Sequence, residues 1–301
     1  MTVLQIPAVG MRDRFVSVVA ELLDADARVA LVLADISAAR FARSARRHPD
    51  RVVNVGIREQ LMIGVAAGLA STGLRPIAHS YAPFLVERPF EQLKLDLGHQ
   101  GLGAVLASIG GSHDAAAEGR THQAPEDVTV VSSLPGWTVH VPGHADEAER
   151  LLRDAVEQEG SVYIRLSERQ NTRAVDGPPG ATVTLREGSG GAVLAVGPLL
   201  DPVLAATEGL DLTVLYTATP TPLDAAGLRA ARGTETLVLV EPYLAGTSSA
   251  QVADALLGVP HRLLALGVRP GEHRRYGTAA EHDEAHGLHP AGLRERIRAF
   301  V

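Results

Sequence analysis

Cysteine is absent from this 301-residue chain, and aromatic residues make up only 4% of it. The lack of cysteine excludes disulfide bonds, thiolate metal sites and a cysteine nucleophile, and it fits the cytoplasm. No apolar run approaches the roughly 20 residues that a membrane-spanning helix needs. The N-terminal segment lacks the basic start and apolar core of a secretion signal. We therefore expect a cytoplasmic protein that does not enter a membrane.

An excess of basic charge is missing too. The chain has 28 Lys and Arg against 35 Asp and Glu, a net charge of -7, and the two signs are interspersed. This charge distribution argues against a nucleic-acid partner and gives no support to binding an anionic membrane. Apolar material is plentiful, at 46% of residues, and is enough for more than one core. The length suggests two domains.

Short apolar runs alternate with amphipathic stretches along most of the chain. Residues 28–35 and 51–55 are typical of buried strands because their apolar runs are nearly continuous, whereas 12–24 and 59–72 have helical periodicity. Such alternation predicts right-handed βαβ units and parallel sheets covered on both faces. Further strands are predicted at 75–80, 103–109, 137–141, 162–166, 192–197, 212–217, 236–241 and 261–266, and further helices at 144–158, 199–208, 223–231, 247–257 and 290–300.

Glycine and proline clusters interrupt this alternation once. They predict a linker over about 176–189, between one domain at 1–175 and another at 190–301. The polar segment 273–290 is rich in His and Gly and predicts a surface loop. The fold class expected is therefore α/β, with two doubly wound, mostly parallel sheet domains.

The first candidate for chemistry is Glu59, in the segment NVGIREQLMIGVAAGLA (54–70). A strand ends before Gly56, and Glu59 falls in the first helical turn, at the sheet edge where open α/β folds bind ligands. The following helix is apolar on nearly all sides and should be buried. Glu59 either complements the helix dipole or is a buried acid with a raised pKa that shares a proton with a ligand. Taken alone, the pattern favours the dipole.

Two further segments concentrate aromatic and polar side chains. Tyr81 and Phe84 are three residues apart, so on a helix they would share a face, either as core packing or as a platform for a flat heterocycle. The glycine-rich loop IGGSHDAAAEGRTHQAPEDV (109–128) carries two His and several acids. No two of its potential ligands lie at i,i+4 on a predicted helix, so we expect no metal site there.

A fourth segment, VYIRLSERQN (162–171), brings Arg165 and Arg169 to the end of a predicted strand. Two guanidinium groups at a ligand-binding edge could hold a phosphate through paired hydrogen bonds. The alternative is a pair of ordinary surface arginines.

In this order and spacing, the four segments resemble the pyrimidine-binding domain of transketolases and 1-deoxyxylulose-5-phosphate synthases, which use thiamine diphosphate. The motifs are GIREQ, FLVERPFEQ, EGRTHQAPED and YIRLSERQN, and TLVLVEPYLAGTSSAQVADAL resembles the family's C-terminal domain. The resemblance implies a thiamine diphosphate-binding-like pyrimidine domain followed by a transketolase C-terminal-like domain.

The resemblance also implies a set of cofactor contacts. Glu59 matches the acid that hydrogen-bonds N1′ of the aminopyrimidine, and Phe84 matches the aromatic residue that stacks on that ring. Tyr81 would lie beside Phe84. Ile57, within GIREQ, and Asp35, near the dimer seam, complete the expected cofactor contacts.

The substrate contacts implied by the resemblance lie in the same motifs. His122 and His113 resemble residues that hold the donor sugar and relay protons, and Glu118 replaces a family aspartate. Phosphate binding would fall to three arginines: Arg88 by the synthase pattern, Arg169 by the transketolase pattern, and Arg165 as its rival because SERQN is one residue longer than SRQN.

One family motif is missing. The family holds the cofactor's diphosphate and Mg²⁺ through Gly-Asp-Gly in a separate N-terminal domain, and this chain has no Gly-Asp-Gly. The resemblance therefore implies a split transketolase that moves a two-carbon ketol unit between sugars or phosphosugars. A partner chain would bind Mg²⁺ within an α₂β₂ heterotetramer, in which this chain also pairs with its own copy.

Two alternatives remain at this point. One is a beta-type subunit related to 2-oxo acid dehydrogenases, which would deliver a two-carbon unit to a lipoyl or carrier protein. GIREQ and THQ favour the transketolase side. The other is a non-catalytic structural subunit.

Overall fold

Two β-sheets organise the chain, and each collects the apolar runs of one half of the sequence. The computed structural model describes residues 9–231, 235–272 and 274–301. The helices of the first half are α1 (Met11–Ala25), α2 (Ala42–Arg47), α3 (Glu59–Ser71), α4 (Phe90–Gln92), α5 (Asp127–Ser132) and α6 (Ala145–Glu157). Its strands are β1 (Val29–Leu33), β2 (Val52–Asn54), β3 (Arg75–Tyr81), β4 (Val105–Ile109), β5 (Thr138–His140) and β6 (Val162–Arg165).

The second half continues the same alternation. Its strands are β7 (Thr182–Arg186), β8 (Ala192–Val196), β9 (Thr213–Thr217), β10 (Thr236–Leu244) and β11 (Arg262–Val268). Its helices are α7 (Leu200–Ala206), α8 (Ala225–Ala231), α9 (Ser249–Ala255), α10 (Ala279–His286) and α11 (Pro290–Phe300). Within the described residues, no helix is both long and apolar enough to cross a membrane. The cytoplasmic location stays a prediction.

The first sheet is parallel throughout its described strands, in the order β2-β1-β3-β4-β6-β5. Every residue of β1 and β4 is buried, as expected for strands covered on both faces. The amphipathic helices α1 and α6 pack together over one face, through side chains such as Phe15 and Leu152. The largely apolar α3 covers the other face, with Met62 and Ile63 fully buried.

The second sheet has the order β11-β10-β8-β9-β7, and only its edge strand β7 runs antiparallel. That strand lies inside the segment predicted as a linker. Its β-branched residues Thr182, Val183 and Thr184 favour a strand. The glycine and proline clusters on both sides masked this signal.

A continuous apolar cluster joins the two sheets. It contains Trp137 and Val139 of the first half together with Leu239 and Tyr243 of β10. Backbone bonds cross the same junction, since Val139 N donates to the Thr221 carbonyl at 2.7 Å. The two sheets therefore share one interior. The exact domain bounds stay a prediction.

The surface loop predicted over 273–290 is wrong over Ala279–His286, because α10 forms there. Thr278 and Glu281 form a capping box at its start, and Gly287 ends it in a left-handed conformation (φ 71°). The helix hides His282 and His286, at 2% and 6% exposure. The prediction failed because it counted histidine as a solvent-facing residue. His273 lies outside the described residues.

Candidate active site

The strand order of the first sheet creates a ligand-binding edge. Because β1 lies between β2 and β3, the chain reverses its direction of winding there, and the carboxyl ends of these strands frame a crevice. Asp35 follows β1 with φ 72°, a conformation that is uncommon for a residue other than glycine. Asn54, at the end of β2, holds it by accepting a bond from the Asp35 backbone N–H at 2.9 Å. Asp35 itself is exposed at this edge.

Glu59 is the first residue of α3 and is only 4% exposed. Its Oε1 accepts a hydrogen bond of 2.9 Å from Nη1 of Arg88, whose side chain is 43% exposed. The carboxylate is thus buried with its partner at the opening of the site. The preceding Ile57 is 72% exposed, in the turn between β2 and α3.

The guanidinium of Arg88 also lies on an aromatic face. Its central carbon is 3.8 Å from the centre of the Phe84 ring, a cation–π contact. A flat cation with N–H donors therefore touches both the Phe84 ring and the Glu59 carboxylate. These are the two contacts that an aminopyrimidine ring needs, so the residues present fit that group.

Tyr81, Phe84 and His122 form an aromatic wall next to this pair. The ring centres of Phe84 and His122 are 4.9 Å apart, and those of Tyr81 and His122 are 5.3 Å apart, with edges meeting faces. Tyr81 ends β3 and Phe84 lies in a π-helical stretch (Pro83–Glu87), so a strand-to-helix corner rather than one helix joins them. A Cβ at Gly110 would lie 2.3 Å from the Tyr81 ring, so only glycine fits there.

The loop 109–128 separates its two histidines. His122 joins the aromatic wall, whereas His113 is 6% exposed and stacks on His282, with ring centres 4.0 Å apart. His286 lies on the same stack, 5.3 Å from His113. Glu118 is exposed in a short helical turn (Ala116–Glu118). The structure thus places His113 in a histidine cluster with α10.

Arg165 is engaged inside the protein. It is 1% exposed, and its Nε donates to Oδ2 of the fully buried Asp127 at 2.7 Å. Its Nη2 donates to Ser112 Oγ at 2.7 Å. Removing Asp127 would leave an uncompensated buried charge, so this pair fixes the loop against the strand ends.

The other two arginines proposed for phosphate have different partners. Arg169 forms an ion pair with Asp283 of α10, and burial lowers the pKa of its guanidinium. Arg88 pairs with Glu59, as described above. Each guanidinium therefore has its own carboxylate in this structure.

Several residues of this region escaped the prediction. Asn54 and Asp127 lie inside the quoted motifs, and the signal for Asp127 is its place at the start of a helix. The signal for His282 and His286 is their i,i+4 spacing, visible only once α10 is recognised.

Residues 8–174 match the family model described as "Transketolase, pyrimidine binding domain". The chain belongs to the transketolase family. The predicted family and fold class are confirmed, and the pyrimidine domain is of the type found in transketolases and 1-deoxyxylulose-5-phosphate synthases.

Two relatives match this transketolase-family chain over most of their length. A 33.6 kDa protein in the fasciation locus of Rhodococcoides fascians is 51% identical over 93% of this chain and 91% of its own. A 6-deoxy-6-sulfo-D-fructose transketolase subunit of Clostridium sp. (strain MSTE9) is 32% identical, over 86% of this chain and 84% of its own.

Other relatives are longer. A 1-deoxy-D-xylulose-5-phosphate synthase of Thioalkalivibrio sulfidiphilus (strain HL-EbGR7) is 34% identical, and the match spans only 41% of it. Among solved structures, a chain described as "Split gene transketolase, inactive beta4 tetramer" is 26% identical, with a TM-score of 0.84 over 97% of this chain and 98% of its own. The transketolase of Campylobacter jejuni shares the fold with a TM-score of 0.80, over 47% of its length.

Proposed function

We propose that this chain is the cofactor-activating subunit of a split, thiamine diphosphate-dependent transketolase. The observation that carries the proposal is the pairing of a buried acid, Glu59, with the aromatic face of Phe84 through a flat N–H-bearing group. Similarity to a transketolase subunit of nearly the same length supports the two-chain arrangement.

Three residues of this chain would have separate roles at the cofactor ring. Glu59 would hold a proton between its carboxyl group and N1′ of the aminopyrimidine, because burial at the start of α3 keeps water from competing. Phe84 would stack on the ring and fix its orientation. Arg88 would move aside. Thiamine diphosphate, when bound, would supply the carbon nucleophile for ketol transfer.

The substrate side would be formed by the aromatic wall and the loop edge. His122 stands with its ring against Phe84 and could hold or relay a proton of a sugar hydroxyl. Tyr81 shapes the same wall, and the exposed Glu118, Asp35 and Ile57 would contact sugar, cofactor or partner. Arg88, once released, would bind a phosphate of the donor.

The remaining parts of the site would come from a second polypeptide. The chain lacks Gly-Asp-Gly, so a transketolase N-terminal-type subunit would hold Mg²⁺ and the diphosphate. We propose an α₂β₂ assembly in the cytoplasm, with two copies of this chain in contact and sugars or phosphosugars as substrates.

The test is reconstitution with a partner chain that carries Gly-Asp-Gly. We expect ketol transfer from a ketose phosphate to an aldose only when both chains and thiamine diphosphate are present. Glu59→Gln should lower kcat by at least about 100-fold, because general acid–base catalysis by a positioned side chain contributes about 10²–10⁴-fold.

Glu91→Gln is the matched control, since Glu91 is an exposed acid on α4. It should leave the rate unchanged. Full activity of a folded Glu59→Gln complex would rule out the proposed role of Glu59. Activity restricted to a lipoyl or other carrier protein would instead identify a 2-oxo acid dehydrogenase-type subunit.

A further inference from the structure

Three buried histidines meet where the loop 109–128 touches α10. His113 comes from the loop, and His282 and His286 come from the helix, at exposures of 6%, 2% and 6%. One ring nitrogen of each lies within 4.8 Å of the others. The spacing i,i+4 puts His282 and His286 on one face of the helix, the spacing used by helical zinc ligands.

We propose that His113, His282 and His286 form a binding site for a divalent transition metal of the Zn²⁺ class. Imidazole nitrogens suit Zn²⁺, Cu²⁺, Ni²⁺ and Fe²⁺ rather than Mg²⁺ or Ca²⁺. The site is distinct from the proposed Mg²⁺ site, which would belong to a partner chain. It joins the two halves of this chain.

The ring nitrogens are near enough for a three-histidine site, but the rings stack nearly parallel, with interplanar angles of 7°, 10° and 14°, so they must also turn before their in-plane lone pairs meet at one metal. Zn–N bonds of about 2.0–2.1 Å in a tetrahedron place the ligand nitrogens about 3.4 Å apart. The observed limit of 4.8 Å requires the rings to close by up to about 1.4 Å. His113 can supply this movement, because it lies on a loop, whereas His282 and His286 keep the fixed spacing of the helix.

Hydrogen bonds around the helix histidines orient their rings. Nε2 of His282 donates to the Tyr276 carbonyl oxygen at 3.2 Å, so a metal would be bound through Nδ1. A hydrogen bond from the other ring nitrogen is the usual support for a ligating imidazole. Nδ1 of His286 accepts a bond of 3.2 Å from the Arg269 backbone N–H. Metal binding through Nδ1 of His286 would replace this long contact with a metal–nitrogen bond and leave the ring proton on Nε2.

A small cavity adjoins the cluster on the His113 side, and His282 and His286 do not line it. His113 lines a cavity of about 40 Å³ together with Ser112, Asp114 and Asp283. This volume holds one or more waters. A water or carboxylate oxygen can therefore complete a tetrahedral set of ligands.

A metal at this position would clamp α10 to the loop 109–128, which also carries His122. The ion pair of Arg169 with Asp283 already joins α10 to the segment that follows β6. We expect the metal to rigidify the loop and to raise the melting temperature of the whole chain, with a stabilisation that grows with the logarithm of the free metal concentration.

The experiment titrates the full, untagged chain, stripped by dialysis against a chelator, with Co²⁺ and then Zn²⁺. We expect one equivalent of Co²⁺ to bind with the intense visible absorption of a tetrahedral site, one equivalent of Zn²⁺ to displace it, and the melting temperature to rise. If the wild-type chain does not bind one equivalent of Co²⁺ or Zn²⁺ saturably, the proposal is overturned, whatever the variants do.

His113→Ala and His282→Ala identify the ligands. Each should weaken Zn²⁺ binding by more than the roughly 10- to 100-fold that loss of an outer-shell partner costs. His99→Ala changes an exposed histidine far along the sequence and should bind like the wild type. Retention of the wild-type affinity and cobalt spectrum by both ligand variants would show that the metal binds elsewhere.

Discussion

At the scale of single residues, Arg88 occupies an unusual position. Its guanidinium bonds the Glu59 carboxylate at 2.9 Å and covers the Phe84 ring at 3.8 Å. The Glu59 carboxylate and the face of the Phe84 ring are the two contacts proposed for the cofactor ring. The side chain is 43% exposed, so its ion pair is screened by solvent and can be displaced at a small cost.

Arg88→Ala should separate the two roles proposed for this residue. Removing the guanidinium should tighten cofactor binding to the assembled complex by about two- to five-fold. The reason is that the cofactor no longer has to displace a weak ion pair between Arg88 and Glu59. It should also raise KM for a phosphorylated donor. Calorimetric titration and steady-state kinetics measure the two effects. Arg43→Ala, at an exposed arginine of α2, should change neither, and weaker cofactor binding by Arg88→Ala would contradict the displacement.

Glu241 predicts a pH dependence of folding. It is fully buried, and its carboxylate accepts bonds from the backbone N–H groups of Gly246 and Ser248. Burial raises the pKa of Glu241 to about 7, although these hydrogen bonds favour the ionised form and act to lower the pKa. The native state therefore binds more protons than the unfolded state between about pH 4.5 and 7, and the free energy of unfolding falls as pH rises through this interval.

Glu241→Gln should flatten that dependence, which amounts to about 3 kcal/mol at most. Urea unfolding at several pH values between 5 and 8 measures it. Glu235→Gln, at an exposed position, should keep the wild-type slope. An equal slope in wild type and Glu241→Gln would assign the pH dependence to other groups.

At the scale of helices and strands, the sequence predicts regular alternation well and special local chemistry poorly. Periodicity places nearly every predicted strand and helix within about three residues of its observed bounds. The short helices α2, α4 and α5 escaped the prediction. Two further elements, β7 and α10, escaped because β7 is a short edge strand between glycine clusters and α10 is polar with buried histidines. Neither has the apolar periodicity on which the prediction depends.

In the candidate active site, too, the sequence predicted some features well and others poorly. The resemblance assigned Glu59, Tyr81 and Phe84 to the cofactor and His122 to the donor sugar, and the structure brings these four side chains into one region. The sequence could not predict the hydrogen-bond partners of these side chains, since no local pattern pairs Arg165 with Asp127, 38 residues away. Such contacts depend on which strand ends meet in the folded sheet.

The N-cap of α10 can be tested directly. Thr278→Ala removes the hydroxyl that accepts the Glu281 backbone N–H at 3.3 Å, and should cost about 1 kcal/mol of stability. Urea denaturation measures the loss. Thr278→Ser keeps the hydroxyl and should retain most of the stability. Equal destabilisation by both variants would show that the methyl group, and not the cap, matters at this position.

At the scale of the whole molecule, the shared core makes the two halves interdependent. Trp137 belongs to the first half and Leu239 to the second, yet both lie in one apolar cluster. Val141 N also donates to the Ala218 carbonyl across the junction at 2.7 Å. A half that unfolded alone would expose the apolar surface of the other, which opposes independent unfolding.

We therefore expect a single unfolding transition. Fluorescence of Trp137, the only tryptophan in the sequence, and far-UV circular dichroism should give coincident curves in urea. Leu239→Ala opens a cavity in the common core and should cost about 2–5 kcal/mol, shifting both probes equally although Trp137 is on the other side of the junction. Leu257→Ala, at a leucine that is 78% exposed, should shift neither. A Trp137 signal that stays in place while the circular dichroism moves would show that the halves fold separately.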